Sequence, residues 1–567
     1  MAAGQQTIGL TLSDLLSQVL PELTLSAANA AVLVQGITLD SRNVSRGDVF
    51  IAYPGASHDG REFIAQALSA GAAAVLVESE GFVVDRFITD PFVTGSFITG
   101  SGKDERIIPV AGLASQASAI AGCFYRHPSR DLVVTGITGT NGKTTCTHLL
   151  AQLYTLLGNN AGVLGTLGAE LITAPAEAAS SKLLISKSRP SEVQTSEIQS
   201  SKTPSANMTT ADAVTTQALL AELRDAGADY VTMEVSSHGL VQSRVADVRF
   251  DTAVFTNLSR DHLDYHGDMA AYLAAKAQLF NVPGLQRAVI NIDDPAGREL
   301  AAQLPATVEC LRFGIVSAGA GEFSCEVRAE NCRYTRQGIS ADIITPWGSG
   351  ELRSTLLGAF NLSNVLAVIA AVCAQGKDFD AVLSAIPRLQ SVAGRMQLVA
   401  EDSNLASGED HAPQVVVDYA HTPDALSQAL STLREQCTGK LWCVFGCGGD
   451  RDRGKRALMA EVAGRSADRV VVTSDNPRNE DSNLVIEDIL QGIPAEISAP
   501  NLLVEADRRA AIRIAISQAD SADTVLIAGK GHERYQEVAG VRWPFDDVAE
   551  AVLALGERRI ERAESKS

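Results

Sequence analysis

A chain of 567 residues is too long for one hydrophobic core, and at about 150 residues per domain it divides into about three or four. The formal net charge of −20, without a basic run, opposes nucleic-acid binding, which draws affinity from phosphate neutralisation by Lys and Arg. No run of about 18 apolar residues occurs, so no membrane span is expected.

The first Lys or Arg is Arg42, so the N-terminus lacks the charged region of a secretion signal. Nine scattered cysteines without a C-x-x-C pair read as free thiols in a reducing cytoplasm. A local basic pocket for a phosphate ligand remains compatible with the charge.

Residues 1–111 read as a small mixed α/β domain. It has short β-like runs at Ile37–Asp40 and Asp48–Ala52, an Ala-rich helix over Arg61–Ala70 and a strand at Ala73–Val77. Residues 80–105, with several Gly, Asp and Ser, are expected to form a loop. A second domain, 112–392, carries a buried strand at Asp131–Ile137 and a helix over Thr144–Leu157. Further strands are expected at Tyr230–Val235, Thr252–Phe255 and Arg287–Asn291. Strand and helix alternate, which predicts a mainly parallel sheet. The Ser- and Pro-containing stretch 173–206 has no clear period and reads as a surface insertion without regular structure. The third domain, 393–567, repeats the α/β pattern with strands at Val415–Asp418, Leu441–Phe445, Arg469–Thr473 and Thr524–Ala528, and is expected to be Rossmann-like. Asp418, the Gly446–Asp450 turn, Asp475 and Gly529 fall at strand carboxyl ends, where ligands gather in open α/β sheets.

The sharpest motif runs from Gly136 to Thr145, between the strand and the helix of the second domain. It has the shape of a P-loop, although Ile137 stands where the strict pattern has Gly. Gly139, Thr140, Asn141, Gly142, Lys143, Thr144 and Thr145 are therefore the expected ATP-binding residues. Backbone N–H groups and the helix N-terminus would face the phosphates. Lys143 would reach the terminal phosphates, and the Thr144 hydroxyl would meet Mg²⁺.

The run GTNGKTT at 139–145 resembles the form found in Mur ligases and the related folylpolyglutamate synthases, and the resemblance extends over nearly the whole chain. It implies an ATP-dependent, ADP-forming ligase that makes an amide bond in peptidoglycan precursor synthesis. Within Met233–Gly239 it makes Glu234 a Mg²⁺ ligand, a choice that suits a hard cation. Within Thr256–His266 it makes His262 part of the same site. His262 and His266 are spaced like a zinc pair, but no third soft ligand is near. The resemblance also implies that Lys276 is carbamylated and, as an anion, helps hold a second Mg²⁺. Asn361 and Arg395 would serve the nucleotide, and Asp418–Asp424 is a further family segment near ATP.

In the first domain, Leu39 and Ser41 match the segment that holds a UDP group. Residues 56–58 read Ala-Ser-His where some relatives have His-Gln-Ala. Thr209, Thr210, Ser236, Gln242 and Arg244 match positions that bind the muramoyl dipeptide, with Met208 replacing an Asn of some relatives. The most discriminating run is Asp475-Asn476-Pro477-Arg478. Arg478 can hold the distal carboxylate of diaminopimelate bidentately, and Asp475 can accept from its ammonium. Arg451, Gly529 and Glu533 match further contacts to this ligand.

The implied reaction adds meso-2,6-diaminopimelate to the D-Glu γ-carboxylate of UDP-MurNAc-L-Ala-D-Glu through an acyl phosphate, in a cytoplasmic monomer whose domains close around small-molecule substrates. A lysine-adding Mur ligase, a folylpolyglutamate synthase, a P-loop nucleic-acid ATPase and a non-catalytic nucleotide binder stand as alternatives.

Overall fold

In the computed structural model the described residues are 9–55, 58–83, 104–174, 194–197, 208–316, 325–399, 412–497 and 500–566. The fold is α/β with parallel strands in each of three sheets that serve the three domains. By compactness the chain forms two units, the first built around strands β1–β12 and the second around β13–β23.

The first sheet comprises β1 (Gly36–Thr38), β2 (Asp48–Ala52), β3 (Ala74–Glu78) and β4 (Ile107–Val110), in that order and all parallel. β2 and β3 are buried at every residue, as near-continuous apolar runs in parallel sheets are. The helix Leu113–Phe124 packs Leu113, Ala117 and Ile120 into the same core. The helix expected over Arg61–Ala70 opens as a 3-10 turn, Gly60–Phe63, before the α-helix Ile64–Ser69. Asp59 sets that tight start, accepting from the Arg61 amide at 3.0 Å and pairing with its guanidinium at 2.8 Å. Most of the loop expected at 80–105, and residues 56–57, lie outside the described residues.

The central sheet of the first unit holds β5 (Val133–Thr138), β6 (Ala161–Gly165), β7 (Gly168–Thr173), β8 (Gln194–Glu197), β9 (Tyr230–Glu234), β10 (Thr252–Phe255), β11 (Arg287–Asn291) and β12 (Glu309–Ile315). Their order is β12-β11-β10-β5-β9-β6-β7-β8, parallel from β12 to β6 and antiparallel beyond. Register places Ile137 opposite Glu234, so the P-loop leaves β5 beside the end of β9. β8 is a finding against expectation: the polar run Gln194–Glu197 pairs with Glu170–Thr173 inside the stretch read as irregular. Four polar residues show no hydrophobic alternation, so only the pairing reveals this strand. The rest of that stretch, from residue 175 to 207, lies outside the described residues.

The second unit opens with an antiparallel meander, β13 (Val327–Thr335), β14 (Gly338–Thr345) and β15 (Gly348–Ser354), which the parallel expectation did not contain. Its main sheet has β16 (Gln397–Leu398), β17 (Gln414–Asp418), β18 (Leu441–Phe445), β19 (Arg469–Val472), β20 (Leu502–Val504) and β21 (Thr524–Ala528). The order is β16-β17-β21-β18-β19-β20, parallel from β17 to β20. A hairpin, β22 (Tyr535–Val538) and β23 (Val541–Pro544), follows. Among the described residues no helix is long and apolar enough to cross a membrane.

One buried ion pair ties this sheet to its helices. Arg508, opening the helix Arg508–Gln518, and Asp547, opening the helix Asp547–Lys566, meet at 2.7 Å with both side chains fully buried. Arg508 also donates to the carbonyls of Ser474 at 3.4 Å and Ala528 at 3.0 Å, just before Asp475 and Gly529. Breaking such a pair strands a buried charge, at a cost of about 3–5 kcal/mol. Asp547→Ala is expected to lower the unfolding free energy of this unit by about that amount in urea titration; a loss below about 1 kcal/mol would rule the pair out as an anchor.

Candidate active site

The strand β5 runs through Thr138, so Ile137 is a fully buried strand residue and the turn belongs to Gly139 and Gly142. Gly139 has φ +150°, and a Cβ there would lie 1.9 Å from Thr256 Oγ1. Gly142, at φ +85°, precedes the helix Lys143–Leu156. The loop between them is braced from β10. The Thr140 amide donates to the Asn257 carbonyl and the Asn141 amide to Asn257 Oδ1, each at 2.9 Å, and Thr256 Oγ1 donates to the Asn141 carbonyl at 2.6 Å. Lys143 Nζ donates back to the carbonyls of Gly139 and Thr140, both at 2.9 Å.

Beneath the loop lies Glu234, 2% exposed. Its carboxylate accepts from Thr144 Oγ1 at 3.0 Å, the Thr166 amide at 2.9 Å and Thr166 Oγ1 at 3.2 Å. Among the described residues no cation lies within salt-bridge distance of it. Gly165 permits this approach, since a Cβ there would lie 2.3 Å from Glu234 Oε1. A buried carboxylate faced only by neutral donors, with a hydroxyl of the P-loop helix on it, suits a hard divalent cation. Among the described residues no three His, Cys, Asp or Glu side chains form a metal cage.

Lys276, expected on a helix, is not a solvated charge. It ends the helix Met269–Ala277, is 1% exposed, and donates to the Gly139 carbonyl at 2.8 Å. Burial, with Lys143 nearby, holds its pKa well below the ordinary lysine value. Tyr272 lies under its ammonium, 4.3 Å from the ring centre. His262 adopts φ +52° and its side chain is half exposed; its ring meets His238 at 4.9 Å and Tyr272 at 6.1 Å. His266 reaches Ser237 Oγ at 2.9 Å. Burial first, and then His262 and His266, push His238 down to about 4.

The dipeptide candidates adjoin this floor. Thr210 Oγ1 donates to the Glu234 carbonyl and accepts from the Ser236 amide, both at 2.9 Å. Arg244 donates to the Thr210 carbonyl at 2.7 Å and to Gln242 Oε1 at 2.6 Å. Thr209 Oγ1 lies 3.3 Å from Thr166 Oγ1. Glu234, Thr209 and Thr210 line a recess with Met208 and Gly165. Arg244 has no carboxylate within salt-bridge distance among the described residues, and burial lowers its pKa. In the first sheet Ser41 is buried and donates to Gln66 Oε1 at 2.8 Å, with Leu39 just beyond β1.

The acceptor candidates gather at the carboxyl ends of β19 and β21 in the second unit. Asp475 and Asn476 are buried, and Asn476 Nδ2 donates to Glu533 Oε2 at 2.7 Å. Gly529, at φ +118°, would set a Cβ 2.7 Å from Asp475 Oδ2. Pro477 leads into Arg478, which sits at φ +51° and donates from Nη1 to the Gly449 carbonyl at 2.8 Å. Gly448 lies against both Arg478 and Arg451, its ideal Cβ 2.9 Å from Arg478 Nη1 and 3.8 Å from Arg451 Cγ. Two further nucleotide candidates lie in this unit. Asn361 is buried near the start of the helix Ala359–Ala374, and the Arg395 guanidinium stands 4.7 Å over Tyr419. Asp418 accepts from the Met396 and Ala420 amides at 2.7 and 2.9 Å, and burial raises its pKa.

Sequence reading missed Thr166, Tyr272 and Lys530. Thr166 and Tyr272 sit in no pattern that marks them, and Lys530 was passed over between the matched Gly529 and Glu533; each matters because the fold brings it to Glu234, Lys276 or Asn476.

A braced phosphate loop over a buried carboxylate defines a nucleotide site of the P-loop class, and the strand-end cluster adds carboxylates beside guanidiniums. Comparison narrows the class. The Mur ligase middle domain matches residues 137–372, the Mur ligase glutamate ligase domain residues 394–531 and the Mur ligase family catalytic domain residues 33–125. The UDP-N-acetylmuramoyl-L-alanyl-D-glutamate–2,6-diaminopimelate ligase of Ectopseudomonas mendocina is 47% identical, over 95% of this chain and 98% of that protein. The enzyme of the same name from Pseudomonas aeruginosa is 45% identical over 97% and 99%. A solved structure of a ligase so named aligns with TM-score 0.63 and 33% identity, over 98% of this chain and 100% of that one. The chain belongs to the Mur ligase family.

Gly139→Ala tests the loop. It forces a Cβ onto Thr256 in a backbone region that L-residues rarely adopt. ADP affinity by calorimetry is expected to fall about tenfold or more; unchanged affinity would show that the loop does not cradle phosphate.

Proposed function

We propose that the chain is an ATP-dependent ligase that joins meso-2,6-diaminopimelate to the D-Glu γ-carboxylate of UDP-MurNAc-L-Ala-D-Glu. The observation that carries the acceptor assignment is that carboxylates and guanidiniums follow neighbouring strands: Glu533 accepts from Asn476 beside the buried Asp475, and Arg478 donates to the Gly449 carbonyl, with Arg451 against the adjoining Gly448. An amino-acid end bearing both ammonium and carboxylate complements that set.

ATP transfers its γ-phosphoryl group to the D-Glu carboxylate, giving an acyl phosphate and ADP. The diaminopimelate amine attacks the acyl carbon, the tetrahedral adduct loses phosphate, and the amine gives up a proton. Lys143 and the N-terminus of its helix stabilise charge on the transferring phosphoryl group. Gly139 to Thr145, Asn361 and Arg395 are assigned to ATP. Thr144, Glu234, His262 and Lys276 are assigned to Mg²⁺, which would neutralise phosphate charge. Leu39, Ser41, Thr209, Thr210, Ser236, Gln242 and Arg244 are assigned to the UDP-linked substrate, Arg244 through a substrate carboxylate. Arg451, Asp475, Asn476, Pro477, Arg478, Gly529 and Glu533 are assigned to diaminopimelate.

Lys276 enters as a carbamate. Its buried amine, with lowered pKa, is neutral enough to attack CO₂; an N–C bond forms, one proton leaves, and a cation becomes an anion. The division of labour follows residues 1–111, 112–392 and 393–567. The free cysteines suit the reducing cytoplasm, and one chain supplies all three residue sets, as a monomer requires.

Phosphate release with ATP, Mg²⁺ and the UDP-linked dipeptide is expected with meso-diaminopimelate and not with L-lysine; the reverse would move the chain to the lysine-adding branch. Arg478→Ala is expected to raise KM for diaminopimelate by about a hundredfold, the loss of one charge-assisted clamp, and to leave KM for ATP within about twofold. Equal changes in both would discard the clamp. With ¹³C-bicarbonate, a carbamate resonance is expected in the wild type and not in Lys276→Arg; its absence from the wild type would remove the modification.

A further inference from the structure

The hairpin β22–β23 carries none of the acceptor residues assigned above, yet it is bonded to their loop residue by residue. Gln536 Nε2 donates to the Asp475 carbonyl at 2.8 Å and to Ser474 Oγ at 3.0 Å. The Glu537 amide donates to Asn476 Oδ1 at 2.9 Å. The Arg478 amide donates to the Glu537 carbonyl at 3.0 Å, and the Ala539 amide donates to the Arg478 carbonyl at 2.6 Å. Arg478 and Val538 thereby pair as an isolated parallel bridge.

Two strained residues meet in that contact. Arg478 has φ +51° and Ala539 φ +50°, both in the left-handed region that a Cβ disfavours. Val538 pairs with Val541, so Ala539 and Gly540 make a two-residue turn, with Gly540 at φ +74°. Such a turn needs positive φ at both positions, and Asn-Gly serves it better than Ala-Gly. Packing does not hold it there: every residue of β23 is exposed, and a lone two-stranded hairpin is marginal in water. Left-handed residues other than glycine persist where their neighbours over-determine them, and they collect at ligand clamps. Here the hairpin fixes Arg478 at both its N–H and its C=O, and from that backbone the guanidinium reaches the Gly449 carbonyl.

We infer that the β22–β23 hairpin is the positioning element of the acceptor site, and that Ala539 is a positioning residue whose amide sets the backbone of Arg478. The inference rests on the acceptor reading above, in which Arg478 holds the distal carboxylate. It places the cause of the clamp's geometry about sixty residues away in sequence, on a turn that touches no ligand.

The experiment is steady-state phosphate release by the full chain with ATP, Mg²⁺, the UDP-linked dipeptide and varied meso-diaminopimelate. Ala539→Pro removes the donor and forbids positive φ, so KM for diaminopimelate is expected to rise about tenfold while kcat and KM for ATP stay within about twofold. Ala539→Val keeps the amide but strains the turn further, and its KM should rise about threefold. Ala539→Asn, the residue this turn favours, should keep KM within about twofold of wild type. In an Arg478→Ala background the Ala539→Pro change should move KM by less than about twofold, because the side chain that the hairpin aims is gone. A hairpin that merely stabilised the domain would cost the same factor in both backgrounds. Unchanged KM in Ala539→Pro, an equal rise in both backgrounds, a matching rise in KM for ATP, or a rise in Ala539→Asn as large as in Ala539→Pro would overturn the inference. Should Ala539→Pro fail to fold, Ala539→Val, alone and with Arg478→Ala, decides by the same criteria. An Arg478→Ala enzyme with unaltered KM for diaminopimelate would overturn the acceptor reading itself, a separate outcome.

Discussion

Glu234 is the constraint on which the first unit's chemistry depends. Its carboxylate is buried, and it is satisfied by two threonine hydroxyls and one amide rather than by a cation. The carboxylate contacts come from two segments, Thr144 of the P-loop helix and, through both amide and hydroxyl, Thr166 of the turn after β6, while Thr210 from a third donates to the backbone carbonyl of the same residue. A carboxylate removed from water must be fully hydrogen-bonded, so these segments hold one arrangement or pay the desolvation cost. The parallel register of β5 and β9 makes this possible by ending both strands at the same level. Phosphate loop, cation ligand and dipeptide residues are therefore positioned together.

The two lysines above that floor follow the same logic with opposite sign. Lys143 and Lys276 both donate to the Gly139 carbonyl, at 2.9 and 2.8 Å. Two ammonium groups sharing one acceptor repel, and burial falls on Lys276, which is 1% exposed. Lys143, less buried, keeps its ammonium on the Gly139 and Thr140 carbonyls, which suits the phosphate role proposed for it. Lys276 is driven toward its neutral form, the form able to act as a nucleophile. Position on either side of one carbonyl thus separates two identical side chains into two roles.

What was readable in the sequence follows from how local each cause is. The P-loop was readable because its requirements are local: a buried strand, glycines at special dihedrals, and a helix start, all within Val133 to Leu156. The strand ends carrying Asp418, Asp475 and Gly529 were readable because apolar runs mark parallel strands. β8 was missed because four polar residues carry no period. The meander β13–β15 was missed because exposed, alternating strands show weakly beside the buried ones. The burial of Lys276, its contact with Gly139 across 137 positions, and the three partners of Lys530 are long-range outcomes. No window of sequence contains both ends of them. Family resemblance supplied site residues such as Lys276 and Arg478, and the geometry now gives a physical reason for their neighbours.

The acidity of the chain sharpens the reading of both sites. A protein of net charge −20 repels polyphosphate and acidic nucleotide-linked substrates at long range. Salt screens that field beyond about 8–10 Å, so capture must be settled at contact. The first unit offers a helix N-terminus, one lysine and a carboxylate suited to a divalent cation, none of which requires a basic surface. At its strand ends the second unit sets the buried Lys530 3.5 Å from the carboxylates of Asp475 and Glu533, so charges of both signs meet there away from water. A recognition site assembled in that way would discriminate by the charge pattern of a ligand rather than by its total charge, and diaminopimelate and lysine differ by one carboxylate at the far end.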